Sequence, residues 1–385
     1  MPLRLGLLGL SPSSRTLVDA ARRSDRVEIV AVAVRDKARL AEWRAECEVD
    51  VNVYESYNSL LRDGDVDAVY IGLPTRQHAS WCCAAAKMHK HVLVEPPLAS
   101  ELSDALAMRE ACAREDVVLM DAAMFVHHER TRQIMEEIGS KRDFGEVRRC
   151  TAAFSFSASA AFLRASEAER AAEDDPLGCV GDLGWYCARA GLLAFGPDAM
   201  PKSCQATVSE FNAMGVPLDC SGVCYFDDDR KRALHFHASF LHPLRQWLEI
   251  VGDHKVLTCD DFVIPRFSKD CSYSVESFPG DASPLIDLDT CVVSVKNKTP
   301  VVNQKSQRVA MLEAFADLCL FQYPRRAEIR KREADAAVRA QALVSGVIES
   351  CRQRGELVSV AVDIEAAGED AAPAKKQKRK RDGDD

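Results

Sequence analysis

Residues 3–14 read Leu-Arg-Leu-Gly-Leu-Leu-Gly-Leu-Ser-Pro-Ser-Ser. Leu3–Leu8 is an apolar run of strand length. Gly9 follows at once, and Pro12 stands where a helix can begin, since the first helical turn needs no N–H from it. A strand, a glycine turn and a helix N-terminus together open a βαβ unit. They also open a site where backbone N–H groups can face a phosphate.

The rhythm continues outward. Val27–Val34 and Ala68–Leu73 are nearly all apolar, as strands covered on both faces are. Lys37–Glu46 between them is helical and polar on one side. Residues 76–88 and 101–115 read as helices, with His91–Val94 and Val117–Asp121 as strands. This alternation predicts a doubly wound parallel sheet. Beyond about residue 145 the pattern changes. Val147–Ser157 alternates as a long strand, residues 165–176 form a polar insertion or helix, and 181–195 a buried helix. Several β-rich segments then follow between 203 and 264, a spacing that implies a mainly antiparallel sheet. Residues 306–321 and 331–352 have helical period. The expected organisation is α/β: a dinucleotide-binding Rossmann domain over 1–124, an α+β substrate and oligomerisation domain with a large antiparallel sheet over 125–360, and a disordered tail over 361–385.

Composition sets the outer limits. The chain has 385 residues, 47% hydrophobic and 28% charged, with a net charge of −9. That is ordinary for a globular protein of two domains. The acidic balance argues against a nucleic-acid partner, because phosphate affinity rests on Lys and Arg. No apolar run reaches the roughly 20 residues of a membrane span. The 15 cysteines form no disulfide or zinc framework, which fits reduced, buried thiols and a cytoplasmic location. In the tail, Lys375–Arg381 reads either as a solvated end or as a nuclear-localisation segment.

For a dinucleotide site, Gly9 is correctly placed, and Ser11 and Ser14 stand at the second and third fingerprint positions. The motif is Gly-x-Ser-x-x-Ser; small residues still let a pyrophosphate approach, and Ser11 can cap the helix. The second strand ends at Arg35, a fork suited to the 2′-phosphate of NADP, so NADP is favoured over NAD.

Three further motifs follow in order: Leu-Pro-Thr-x-x-His at 73–78, His-Val-Leu-Val-Glu-x-Pro at 91–97 and Gly-Asp-Leu-Gly-Trp-Tyr at 181–186. Together they resemble the Gfo/Idh/MocA oxidoreductase superfamily. Asp121–Thr131 (Asp-Ala-Ala-Met-Phe-Val-His-His-Glu-Arg-Thr) and Asp260–Pro265 look like its dimeric dihydrodiol dehydrogenase and plant-type branch. The resemblance covers about residues 3–350. It implies a nicotinamide in a cleft between the domains, with Gly9, Ser11 and Ser14 at the pyrophosphate and Arg35 at the adenosine phosphate. Pro74 and Thr75 would line the dinucleotide, and Glu95 and Pro97 flank a turn that carries Glu-Lys-Pro in the family. Asp182 and Tyr186, four apart and so on one helical face, match an active-site pair, with Tyr186 as proton donor or acceptor. His78 matches a histidine near the reaction. The substrate implied is a sugar-like molecule or a cyclic diol or ketone. A homodimer through the C-terminal sheet is also implied, with Leu234, Phe236, Ala238 and Phe240 as its apolar face.

The sequence departs from the family pattern where it matters. Pro96 occupies the lysine position and offers neither ammonium nor N–H. Phe125 and Glu129 replace a tryptophan and a proline. Lys87, Lys90, His127, His128 or Arg130, from nearby loops, could restore a charge. Two readings therefore stand: an NADP-dependent oxidoreductase, or a catalytically impaired nucleotide-binding regulator on the same fold. The Pro96-Pro97 bond is also a candidate for the cis form.

Overall fold

The computed structural model describes residues 1–166, 169–196, 198–265, 270–277, 295–302, 305–321 and 326–360. Its N-terminal half is the expected doubly wound unit. Strands β1 (Leu3–Leu8), β2 (Val27–Ala33), β3 (Asn52–Tyr54), β4 (Ala68–Ile71), β5 (His91–Val94) and β6 (Leu119–Asp121) form one parallel sheet in the order β3-β2-β1-β4-β5-β6. Strand β3 carries little apolar signal and was not legible beforehand. Helices α1 (Pro12–Ala21), α2 (Lys37–Cys47), α3 (Tyr57–Leu61), α4 (His78–Lys87) and α5 (Leu102–Arg114) connect the strands. The order reverses at β1, which pairs with both β2 and β4. Sheets of this kind open a crevice there, beyond the carboxyl ends of the strands.

Helix α6 (Glu129–Gly139) leads into the second half. Its sheet runs β14-β13-β12-β11-β7-β10-β9-β8-β15. The central strands are β7 (Arg149–Ser155), β8 (Ser203–Phe211), β9 (Pro217–Tyr225), β10 (Ala233–Ser239) and β11 (Arg245–Val251). The edges are β12 (Lys255–Cys259), β13 (Asp270–Ser277), β14 (Val295–Val302) and the short β15 (Val358–Ser359). The pairing is antiparallel except between β7 and β10. The expected polar insertion is two short helices, α7 (Ala160–Ser166) and α8 (Glu169–Asp174). The expected helix over 181–195 divides at Leu183 into α9 (Gly178–Asp182) and α10 (Gly184–Phe195). The chain ends in α11 (Gln307–Leu320) and α12 (Arg326–Arg352). The tail and its Lys375–Arg381 run lie outside the described residues.

One expectation changes. Leu234, Phe236, Ala238 and Phe240 do not form an open face; all are buried. A Cβ on Gly191 of α10 would stand 2.8 Å from Leu234 Cδ2, and Phe236 borders a small void with Val344 and Val347 of α12. Strand alternation then puts His235 and His237 on the opposite, uncovered face, with Trp247 of β11 half-exposed. That face is more polar than the sequence suggested, because an isolated strand shows its alternation but not which side the helices take. The two halves pack against each other. α12 packs on α5 and β6 as well as on β8, and α11 packs on α1 and on the turn Met124–His127. At the junction, Asp121 at the end of β6 accepts a 2.7 Å hydrogen bond from Trp185 Nε1 and lies 3.4 Å from Arg189 Nε, all three buried. The Pro96-Pro97 bond is cis.

Candidate active site

The crevice at the switch point is a cavity of about 630 Å³. One wall comes from the parallel sheet: Leu10–Ser13, Arg39, Gly72–Thr75, His78 and Glu95–Pro97. The other comes from the second half: Phe162, Asp175, Leu177, Gly181, Asp182, Leu218 and Phe240 among them.

The turn after β1 is built for close approach. Gly9 has φ +82°, and a Cβ there would stand 2.8 Å from Gly72 O and 2.5 Å from Leu73 Cδ2, so glycine is required. Ser11 caps α1, and its N–H donates to Ser14 Oγ at 2.9 Å. Ser14 is fully buried, its hydroxyl spent on that bond, and Ser13 rather than Ser14 reaches the cavity. A helix N-terminus with an open approach, small residues and no acidic residue in its first turn suits a pyrophosphate. Arg35 is exposed, with its guanidinium 5.0 Å from the centroid of the Tyr57 ring. Arg39, one turn into α2, lines the cavity itself. Asp36 caps that helix through the N–H groups of Ala38 and Arg39. The cation at Arg39 was missed in the sequence; its signal is the four-residue spacing from Arg35 across the cap.

Pro74 and Thr75 begin a short 3-10 turn at the end of β4. Thr75 donates through N–H and Oγ1 to Asp175 Oδ1, at 2.9 and 2.6 Å, and so ties the cofactor wall to the segment after α8. His78 is placed otherwise than expected. It is 1% exposed, with Nε2 2.7 Å from Leu73 O and Nδ1 3.0 Å from Pro97 O. Both ring nitrogens are engaged with backbone carbonyls, so neither is free for substrate. The ring pins the β4 turn to the cis-proline turn: it positions Pro97 rather than moving a proton.

Pro97 then meets the other half. A Cβ on Gly181 would lie 3.2 Å from Pro97 Cγ and 2.6 Å from Leu177 Cβ, so the glycine lets α9 press against the turn. That contact sets Asp182 in the cleft, exposed to the water filling it yet deep in the molecule. Desolvation, with Glu95 and Asp175 nearby, pushes its carboxyl up to about 7. Tyr186 lies beyond the break at Leu183, half-buried, 5.5 Å centroid to centroid from the Phe154 ring. Its hydroxyl is 3.8 Å from Met124 Sδ. Desolvation, then Asp182, raise its phenol well above the ordinary value, and Arg308 opposes them.

None of the five cations proposed to replace a lysine at position 96 lines the cleft. Lys87 is exposed on α4, and Lys90 donates to Asp63 O and Val66 O at 2.7 and 2.6 Å. Desolvation lowers His127 and His128 to about 4, leaving them uncharged near neutrality. Arg130 is held by Asp261. The cation felt at Tyr186 comes from far along the chain: Arg308, half-buried in the first turn of α11.

Comparison with known proteins gives the family. Residues 3–122 match the model of the oxidoreductase family with an NAD-binding Rossmann fold, Gfo/Idh/MocA. A D-xylose 1-dehydrogenase (NADP(+)) of Haloferax volcanii is 33% identical over 248 residues, 64% of this chain and 73% of the relative. The chain belongs to the Gfo/Idh/MocA oxidoreductase family. A trans-1,2-dihydrobenzene-1,2-diol dehydrogenase of Danio rerio is 29% identical over 221 residues, 57% of this chain and 61% of its own length. Among solved structures, a 3-ketoreductase of Actinomadura kijaniata in complex with TDP-benzene and NADP aligns with TM-score 0.73 and 22% identity. It covers 91% of this chain and 98% of its own. The likeness to that structure concerns the fold. As a family member the chain is an NAD(P)-dependent oxidoreductase, and among its described residues no helix is long and apolar enough to cross a membrane.

Proposed function

We propose that this protein is an NADP-dependent oxidoreductase that passes a hydride between the nicotinamide and a carbon of a sugar-like or cyclic diol or ketone substrate. The observation that carries the reading is the cleft itself: the Gly9 turn and the α1 N-terminus on one wall, Asp182 on the other, with the cis-proline turn between them. NADP supplies the hydride when bound. Ser11, Ser13 and Gly9 hold the pyrophosphate, Arg35 and Arg39 the adenosine phosphate, and Pro74, Thr75, Glu95 and Pro97 line the dinucleotide. The NADP named for the Haloferax relative and for the ketoreductase structure supports the same cofactor.

Tyr186 is the proton donor to the substrate oxygen in the reducing direction. Its raised phenol favours the protonated form, which is a donor's requirement, and Asp182 one turn earlier orients the substrate hydroxyls. Pro96 leaves the family's lysine role open, and Arg308 fills its electrostatic part: it is the cation that lowers the cost of a tyrosinate. A homodimer packed through the open face of the C-terminal sheet completes the proposal.

Fluorescence titration with NADPH and NADH, followed by a panel of aldoses, diols and cyclic ketones, tests this. Turnover with NADPH is expected, and Tyr186→Phe should lower kcat by about 100- to 10,000-fold with NADPH affinity unchanged. Tight NADPH binding with no turnover on any member of the panel would instead support a nucleotide-binding regulator, the reading that Pro96 favours. In that case Pro96→Lys should create activity where none existed.

A further inference from the structure

On the uncovered face of the C-terminal sheet, away from the cleft, three side chains converge. Asp219 of β9 and His237 of β10 lie diagonally across the antiparallel pair, since Asp219 faces Ser239 and Ser221 faces His237. His237 Nε2 is 2.8 Å from Asp219 Oδ1. His242, in the loop after β10, turns Nδ1 toward the same carboxylate oxygen at 3.8 Å, and the two imidazole rings stand 5.2 Å apart at 32°. One ligand atom from each residue lies within 4.8 Å of the other two. We propose that Asp219, His237 and His242 form a binding site for a divalent transition-metal ion of the zinc class, a site independent of the redox cleft.

The argument starts from what the pair alone leaves unexplained. An Asp–His hydrogen bond satisfies Asp219 and His237, but it gives no reason for a second imidazole to close on the same oxygen. That imidazole is also held in place. Ser239 Oγ accepts from Leu241 N–H at 3.1 Å, and Ser155 Oγ donates to Pro243 O at 2.8 Å, so the loop is fixed on both sides of His242. The donor set is the right chemistry: two neutral imidazoles and one carboxylate suit zinc, nickel or copper and not the all-oxygen shells of magnesium and calcium. Tetrahedral zinc needs ligand atoms ~3.4 Å apart, so on binding the 2.8 Å His237–Asp219 pair would open and the exposed His242 ring, at 3.8 Å, would close in. Three protein ligands leave a fourth position to water.

The site also has a structural consequence. Leu218 and Phe240, which line the cleft, flank these ligands on the same strand ends. A bound ion would therefore fasten the loop after β10 to β9 directly behind the cleft wall.

Cobalt(II) is the probe, because its visible d–d bands report coordination. After chelator treatment, the full-length protein should bind one Co2+ per chain with tetrahedral bands, and equimolar Zn2+ should displace it. His242→Ala and His237→Ala should each weaken Co2+ binding by at least ~10- to 100-fold, the cost of losing even an outer-shell partner. Circular dichroism and NADPH binding should be unchanged in His242→Ala, since His242 does not line the cleft. Absence of tetrahedral bands in the wild type overturns the proposal. So does Co2+ binding that survives both substitutions with thiolate charge-transfer bands, which would place the metal on cysteines instead.

Discussion

The two walls of the cleft are built on different principles. On the cofactor wall, function is local: a glycine at positive φ, a capped helix and two arginines one turn apart lie within residues 9–39. On the substrate wall, function is assembled at a distance. Asp182 is set in the cleft beside the point where Gly181 meets Pro97, Tyr186 lies behind it past the break at Leu183, and the cation that acts on Tyr186 arrives from residue 308. A wall made by backbone conformation tolerates small side chains where none is usual, which is why Ser11 and Ser14 can stand where glycines are expected. A wall made by convergence can move a charge from one chain position to another.

The largest expected effect lies where the walls are joined. Asp121→Ala removes the acceptor of Trp185 Nε1–H and the carboxylate that lies 3.4 Å from the buried Arg189 guanidinium. Breaking a buried pair in this way costs about 3–5 kcal/mol. The urea midpoint of unfolding should fall accordingly. A loss under about 1 kcal/mol would mean the two halves hold together without this junction.

Arg308→Met tests convergence itself. Removing the cation should make charge on Tyr186 costlier, seen as a drop in kcat with KM nearly unchanged. Arg308→Lys should restore most of the rate, which a purely structural role of the side chain would not predict. If Arg308→Met is as active as the wild type, Tyr186 works without a compensating charge, and the comparison between the walls loses its main example.

The cofactor wall should respond differently. Replacing Arg35 and Arg39 together by Gln should weaken NADPH binding by ~10-fold or more, since hydrogen bonds to charged groups are worth about 1.5–3 kcal/mol. NADH binding should change little. Equal loss for both cofactors would place these arginines at the pyrophosphate or adenine instead.

How much of this was legible follows the same division. The parallel sheet and the Gly9 turn could be read directly, because period and turn chemistry are local properties. Strand β3 could not, being short and mostly exposed. His78 was placed in the right region but given the wrong role: spacing locates a side chain, while only the fold reveals that Leu73 O and Pro97 O occupy its nitrogens. The apolar face of β10 was assigned to the wrong side for the same reason. Arg308 carried no signal at all, lying over a hundred residues from the group it acts on.

The subtlest test concerns Asp182. Its carboxyl is raised to about 7, first by desolvation and then by Glu95 and Asp175, so below that pH it is largely a neutral acid and above it an anion. Carbonyl reduction gains from a neutral donor beside the substrate oxygen, and alcohol oxidation from an anion. The kcat/KM profile for reduction should therefore fall as pH rises through about 7, and the profile for oxidation should rise. Asp182→Asn, which cannot titrate, should flatten this limb while lowering the rate only modestly. Because Asp182 is open to the water of the cleft, its neighbours act on it through solvent, and added salt should move the midpoint downward. A limb that persists in Asp182→Asn would assign it to another group. A midpoint indifferent to salt would instead make desolvation, rather than Glu95 and Asp175, the whole cause of the shift.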